Sequence, residues 1–182
     1  HDAQGFSPLD QINRGNVSDL KIAWKNELQV GPNMATPLVH EGVMYLLSAA
    51  DTLLALDATS GAELWRYQHP LEVASSAKIG IALHGDKVIM PTSDMHMLAL
   101  NSKTGEVIWD HAFATNSGGV PYSLRAAPLI AGDKVIQGIT ATFVPAGGMI
   151  VALDINTGEE SWRFHTVAQP DEPGGETWND LP

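Results

Sequence analysis

Short apolar runs separated by polar turns recur along the chain, and the turns are built alike. Three stretches have the form apolar strand, Gly-containing turn, apolar strand. They are Ala35 to Tyr45 around Glu41-Gly42, Ile81 to Ile89 around Gly85-Asp86, and Ala126 to Ile136 around Gly132-Asp133. Each is followed by a second hairpin with a fuller signature. The copies are Ala55-Leu56-Asp57-Ala58-Thr59-Ser60-Gly61-Ala62-Glu63-Leu64-Trp65, Ala99-Leu100-Asn101-Ser102-Lys103-Thr104-Gly105-Glu106-Val107-Ile108-Trp109 and Ala152-Leu153-Asp154-Ile155-Asn156-Thr157-Gly158-Glu159-Glu160-Ser161-Trp162. Asp or Asn can bond its own backbone to start such a turn, and Gly accepts a positive φ. The strand after the turn alternates apolar residues and ends in Trp.

Two hairpins per unit make four short strands in about 40 to 50 residues, the content of a β-propeller blade. Trp65 lies 44 residues before Trp109, which lies 53 before Trp162. Trp24 stands 41 before Trp65 and reads as an earlier copy without its front half. A small Ala lets neighbouring blades approach. A Trp at the end of the outer strand can bury its ring on the next blade with its N–H on a backbone carbonyl. A plain β-sandwich is the competing fold, and the agreement of three frames in Ala, Gly and Trp favours the propeller. The sequence therefore predicts an all-β chain with blades at about 35–65, 79–109 and 126–162. Residues 1–182 form part of one propeller domain in this reading, with no second domain. Asn16 to Leu20 predicts a helical turn, 68–78 and 112–125 predict longer loops, and 166–182 a loop rich in Pro, Gly and acid.

Three blades and a leading strand do not close a ring, and open blade edges invite aggregation. The expectation is a fragment, or a chain completed by further blades of the same or a second chain. The net charge of −11 argues against a nucleic-acid or anionic-membrane partner. No apolar run is long enough to span a bilayer. The absence of Cys removes disulfides and thiolate metal sites.

With the blades placed, the residues resemble the pyrroloquinoline quinone-dependent alcohol dehydrogenases, the methanol/ethanol dehydrogenase type of quinoprotein. The resemblance rests on Phe6-Ser7-Pro8-Leu9-Asp10-Gln11-Ile12-Asn13-Arg14-Gly15-Asn16-Val17 with Leu20 and Ala23-Trp24, and on the Trp frame itself. It also rests on Trp162-Arg163-Phe164-His165-Thr166-Val167 followed by Glu172-Pro173-Gly174-Gly175-Glu176-Thr177-Trp178. It covers nearly the whole chain, and its opening and closing segments are more specific than the frame. It implies an eight-bladed propeller of which this chain is about the first third. It further implies a periplasmic oxidoreductase that moves hydride from an alcohol to pyrroloquinoline quinone and passes electrons to a cytochrome c-type acceptor. A calcium or lanthanide ion would polarise the quinone carbonyl. The signal peptide is not in this sequence. The resemblance puts the catalytic Asp and the aromatic floor of the cofactor in later blades, so no catalytic residue is assigned here.

Carried over residue by residue, the family's early site departs in several places. Its Glu before the first blade falls on Met34, its vicinal cysteine pair on Val73 and Ala74, its Arg on Ile79, its Thr on Arg125, and its metal-ligating Glu on Phe143. Its Ser is matched in kind by Thr140, and Lys78 and Arg125 keep positive charge near the expected cofactor carboxylates. Lys78, Arg125 and Thr140 are therefore the cofactor-binding candidates, Trp24, Trp65, Trp109 and Trp162 are the docking residues, and no metal ligand is assigned.

Each candidate has a plainer reading. Lys78 either contacts a cofactor carboxylate or ends a solvated loop, since a buried ammonium needs a partner. Arg125 carries the forked guanidinium that suits a carboxylate. Thr140 is either a ligand or a strand hydroxyl bonded locally. His84, His96, His111 and His165 lack zinc spacing, with His84 in a turn and His96 on a strand next to Asp94. Asp171, Glu172, Glu176 and Asp180 read as a solvated acidic loop rather than a calcium loop. Ser93-Asp94-Met95-His96 has no nucleophile elbow, which sets aside a hydrolase. The rival function is a non-catalytic propeller scaffold of the outer-membrane assembly type, which shares the Trp frame; a divergent enzyme without the standard metal site is the other.

Overall fold

The computed structural model describes residues 8–74, 76–113, 122–141 and 147–178. The apolar runs form antiparallel strands in chain order: β1 (Leu38–His40), β2 (Val43–Ser48), β3 (Thr52–Asp57), β4 (Glu63–Gln68), β5 (Ala82–His84), β6 (Lys87–Pro91), β7 (His96–Asn101), β8 (Val107–Ala112), β9 (Tyr122–Ser123), β10 (Leu129–Ala131), β11 (Lys134–Ala141), β12 (Met149–Asp154) and β13 (Glu160–His165). They pair as three meanders, β1-β2-β3-β4, β5-β6-β7-β8 and β10-β11-β12-β13. Each meander is a four-stranded propeller blade, and β9 adds a fifth strand to the third sheet. A 3₁₀ turn at Val17–Asp19 stands where a helical turn is expected, and a second occupies Gly175–Trp178. Among the described residues no helix is long and apolar enough to cross a membrane.

The Trp frame folds as its residues dictate. Asp57 Oδ1 accepts the N–H groups of Thr59 and Ser60 at 3.0 and 2.8 Å. Asn101 and Asp154 do the same for their own turns, at 2.9 to 3.1 Å. The frame glycines then adopt φ of 73 to 75°. Each presents a bare Cα to the indole of the preceding blade: a Cβ on Gly61 would meet Trp24, one on Gly105 would meet Trp65, and one on Gly158 would meet Trp109, all within 2.7 Å. The indole N–H closes the joint. Trp24 Nε1 donates to the Ala58 carbonyl at 3.1 Å, Trp65 to Ser102 at 2.9 Å and Trp109 to Ile155 at 3.0 Å. Trp24, which precedes the first sheet, thus docks on it as the later tryptophans dock on theirs. Trp162 remains 44% exposed, with no such turn against it among the described residues. Ala55, Ala99 and Ala152, fully buried, face Trp65, Trp109 and Trp162 across their strand pairs.

The middle blade explains why the inner strands do not alternate. Met97 and Ala99 of β7 belong to a core shared with β11 and β12, while Leu98 and Leu100 belong to a core shared with β2 and β3. A strand covered on both faces is apolar throughout. The outer strands run past their Trp to Gln68, Ala112 and His165, so each blade is longer than its frame. One strand, β9, falls inside the stretch expected to be loop. It pairs Ser123 with Thr140 and Tyr122 with Ala141.

Candidate functional site

The edge strands β1, β5 and β10 are led in by three segments that hydrogen-bond to one another. Thr36 N–H donates to the Ile79 carbonyl at 2.9 Å, and Ile79 N–H donates to the Arg125 carbonyl at 2.9 Å. These bonds draw the inner edges of the three blades together at the end opposite the Trp turns. The β2–β3 and β6–β7 hairpins turn at this same end, and β11 finishes there.

Arg125 and Thr140 are both exposed at this edge. Ser123, the last residue of β9, pairs with Thr140, and Arg125 follows it by two residues beyond the strand. The Arg125 guanidinium has no hydrogen-bond or ion-pair partner among the described residues. Its segment is backed by Gln137, fully buried, whose side-chain N–H donates to the Ala126 carbonyl at 3.3 Å and to Gly138 at 2.8 Å. The side-chain oxygen of Gln137 is buried without a partner among the described residues. Met34 and Ile79, on the segments beside Arg125, are 64% and 55% exposed. Among the described residues this edge therefore carries exposed apolar side chains, an unpaired cation and a hydroxyl.

Lys78 has a different setting. It is 4% exposed, and its ammonium donates to Asp51 Oδ1 at 2.9 Å, Ser93 Oγ at 2.7 Å and both oxygens of Ser76 at 3.1 Å. The carboxylate partner expected of this lysine is thus supplied inside the chain by Asp51. The loop reading of Lys78 fails for the same reason, because the side chain is not solvated. Burial pulls the Lys78 ammonium below its usual value, against the opposing charge of Asp51. Asp51 sits in the β2–β3 turn with φ of 46°, next to Ala50 at 55°. Its carboxylate also accepts the Ser93 backbone N–H and hydroxyl. Nothing in the sequence singles out Asp51, and its partner is 27 positions away.

Beside this pair lies a second polar group. Buried His69 uses both ring nitrogens, Nε2 with Asp94 at 2.9 Å and Nδ1 with the Tyr67 hydroxyl at 3.3 Å. His96 pairs not with Asp94 but with Asp110 across the strands, at 2.7 Å. Burial works to raise the Asp94 carboxyl, and hydrogen bonds from Thr92 and His69 outweigh it, so Asp94 titrates below its usual range. Ala50, Gln68, Pro70, Leu71 and Val73 line a cleft against His69. Val73 and Ala74 are exposed on its loop. His84 ends β5 and is exposed, as expected of a turn. In the acidic loop Glu172 is bonded to His165 Nδ1 at 2.6 Å and to the Gln169 N–H at 2.8 Å, which anchors the loop on β13.

The edge fits a flat polyanion better than a metal. Arg125 and Thr140 offer a cation and a hydroxyl to carboxylates, and Met34 and Ile79 offer apolar contact. Among the described residues no group of three His, Asp or Glu could hold a cation. Phe143, which the family resemblance puts at the metal-ligand position, lies outside the described residues and carries no oxygen donor in its side chain.

Comparison with known proteins agrees with the propeller fold. A family described as PQQ: glucose/ethanol/alcohol dehydrogenase, β-propeller domain, matches residues 1–181. The quinohemoprotein alcohol dehydrogenase ADH IIB of Pseudomonas putida is 39% identical over 93% of the chain and 25% of its own length. The crystal structure of quinohemoprotein alcohol dehydrogenase from Comamonas testosteroni superposes with a TM-score of 0.78 at 31% identity, over 92% of this chain and 26% of that one. A europium-containing methanol dehydrogenase superposes with a TM-score of 0.77 at 30% identity, over 90% of this chain and 30% of that one. The chain spans about a quarter of the length of the relatives it matches.

Proposed function

The chain belongs to the PQQ-dependent glucose/ethanol/alcohol dehydrogenase β-propeller family, and on that premise we propose that its full-length protein oxidises an alcohol with pyrroloquinoline quinone as cofactor. The observation that supports this most is the exposed inner edge, where, among the described residues, the Arg125 guanidinium has no partner and Thr140, Met34 and Ile79 are exposed on adjoining segments. When bound, the quinone supplies the acceptor for the hydride leaving the alcohol carbon. Arg125 would hold a cofactor carboxylate by charge-assisted hydrogen bonding. Thr140 would offer its hydroxyl to the ligand. Met34 and Ile79 would supply apolar contact and help to exclude water. Gln137 keeps the Arg125 segment in place from behind. Electrons leave to a cytochrome-type acceptor, a step supported by the name quinohemoprotein carried by two of the relatives. A periplasmic setting follows from the same resemblance. No step is assigned to a metal ion, because the described residues offer no ligand set for one.

The test is an activity assay on the full-length apoprotein with added quinone, a primary alcohol and a reducible dye, run once with calcium and once with a lanthanide. Dye reduction that requires both alcohol and quinone is the expected result. No alcohol-dependent reduction with either ion at saturating quinone would overturn the reading.

A further inference from the structure

We infer that Asp51 and Lys78 form a clamp between the first two blades that positions the inner edge on which Arg125 stands. The clamp gathers three chain segments that are distant in sequence: the β2–β3 turn, the loop before β5 and the β6–β7 turn. Asp51 and Lys78 have side chains 2% and 3% exposed, so neither charge is shared with water. Every donor of the ammonium is taken by Asp51, Ser76 and Ser93. Ser93 in turn donates to Asp51 at 3.0 Å and accepts the Ser76 N–H at 2.9 Å. The His69 N–H donates to the Asp51 carbonyl at 3.1 Å, which ties the end of β4 into the same cluster.

The residue after Lys78 carries the consequence. Ile79 is the middle member of the Thr36–Ile79–Arg125 backbone chain, accepting from one neighbour and donating to the other. Fixing Lys78 fixes Ile79, and Ile79 fixes the carbonyl of Arg125. Lys78 therefore acts through the backbone and not by touching a ligand; it is a positioning residue. A buried ion pair is weak evidence for added stability, since an apolar pair of similar volume often serves as well. The pair's role is to fix one geometry. The inference rests on the quinone reading for its functional consequence, while the geometric part stands on the chain alone.

The experiment uses the full-length protein and two readouts: the dissociation constant for pyrroloquinoline quinone and the amide exchange rates of Ile79 and Thr36. Lys78→Met leaves the Asp51 carboxylate buried without its counter-ion, held among the described residues only by Ser93. It is expected to weaken quinone binding about tenfold and to speed Ile79 exchange by a similar factor, the scale of one lost charged hydrogen bond. The double variant Asp51→Leu/Lys78→Met is expected to regain the thermal midpoint while both readouts stay altered. Recovery of quinone affinity together with the midpoint would reduce the pair to a stability device and overturn the inference. Unchanged Ile79 exchange in both variants would overturn it as well. If Lys78→Met does not fold, Ser93→Ala removes the 2.7 Å acceptor and keeps the ion pair, and the same two readouts decide. A wild-type protein that fails to bind quinone would sink the functional reading, and the exchange rates would still decide the clamp.

Discussion

Asp57 gathers four donors onto one carboxylate oxygen, the hydroxyls and N–H groups of Thr59 and Ser60. The Thr59 hydroxyl is the largest influence, and the carboxyl is held down at about 2. A folded-state value below the unfolded one near 3.9 means stability that is present above the unfolded value. It is lost as pH falls from about 4 to about 2. In urea unfolding of the full-length protein across that window, Asp57→Asn is expected to flatten the acid loss and to change little at neutral pH. Asn101 supports the latter, since it makes the same turn without a charge. Turn chemistry of this kind is local, which is why Asp57, Asn101 and Asp154 were legible in the sequence. Asp51 was not. A lone Asp in a hairpin carries no sign of a lysine 27 residues on, and only the folded blades bring the two together.

At the scale of the element, the Trp frame joins one blade to the next through a glycine that no other residue replaces well. Gly105 has φ of 75°, and a Cβ there would lie 2.7 Å from the Trp65 ring. Left-handed backbone strain alone costs about 1–2 kcal/mol for an L-residue. Gly105→Ala should therefore destabilise the protein by at least that much, and Gly42→Ala, where nothing lies within 4 Å, should cost only the strain. Thermal or urea unfolding of the two variants gives the difference, which is the contribution of the docked indole. The frame's hairpins, its glycines and its tryptophans could be read from spacing. The strand β9 could not, because two residues carry no period and their pairing with β11 is set by tertiary contact. The length of the outer strands was also hidden, since polar exposed residues continue the ladder past each Trp.

For the molecule as a whole, the repeats fixed the architecture but left the function open, because enzymes and scaffolds share them. The family match across residues 1–181 places the chain with the dehydrogenase family, and the alcohol-oxidising activity is the proposal built on it. The site is only partly legible for a physical reason. Arg125 and Thr140 are exposed and tied to no sequence repeat, so their chemistry is carried by residue type alone. Lys78 has equally suggestive chemistry, but the surrounding blades turn it inward. The account depends on Arg125 as the cation that receives the cofactor. Its most direct test is an equilibrium titration of full-length apoprotein with pyrroloquinoline quinone, wild type against Arg125→Ala. Loss of one charge-assisted contact predicts saturable wild-type binding weakened about tenfold to a hundredfold in the variant. Equal affinity in the two proteins would contradict the account.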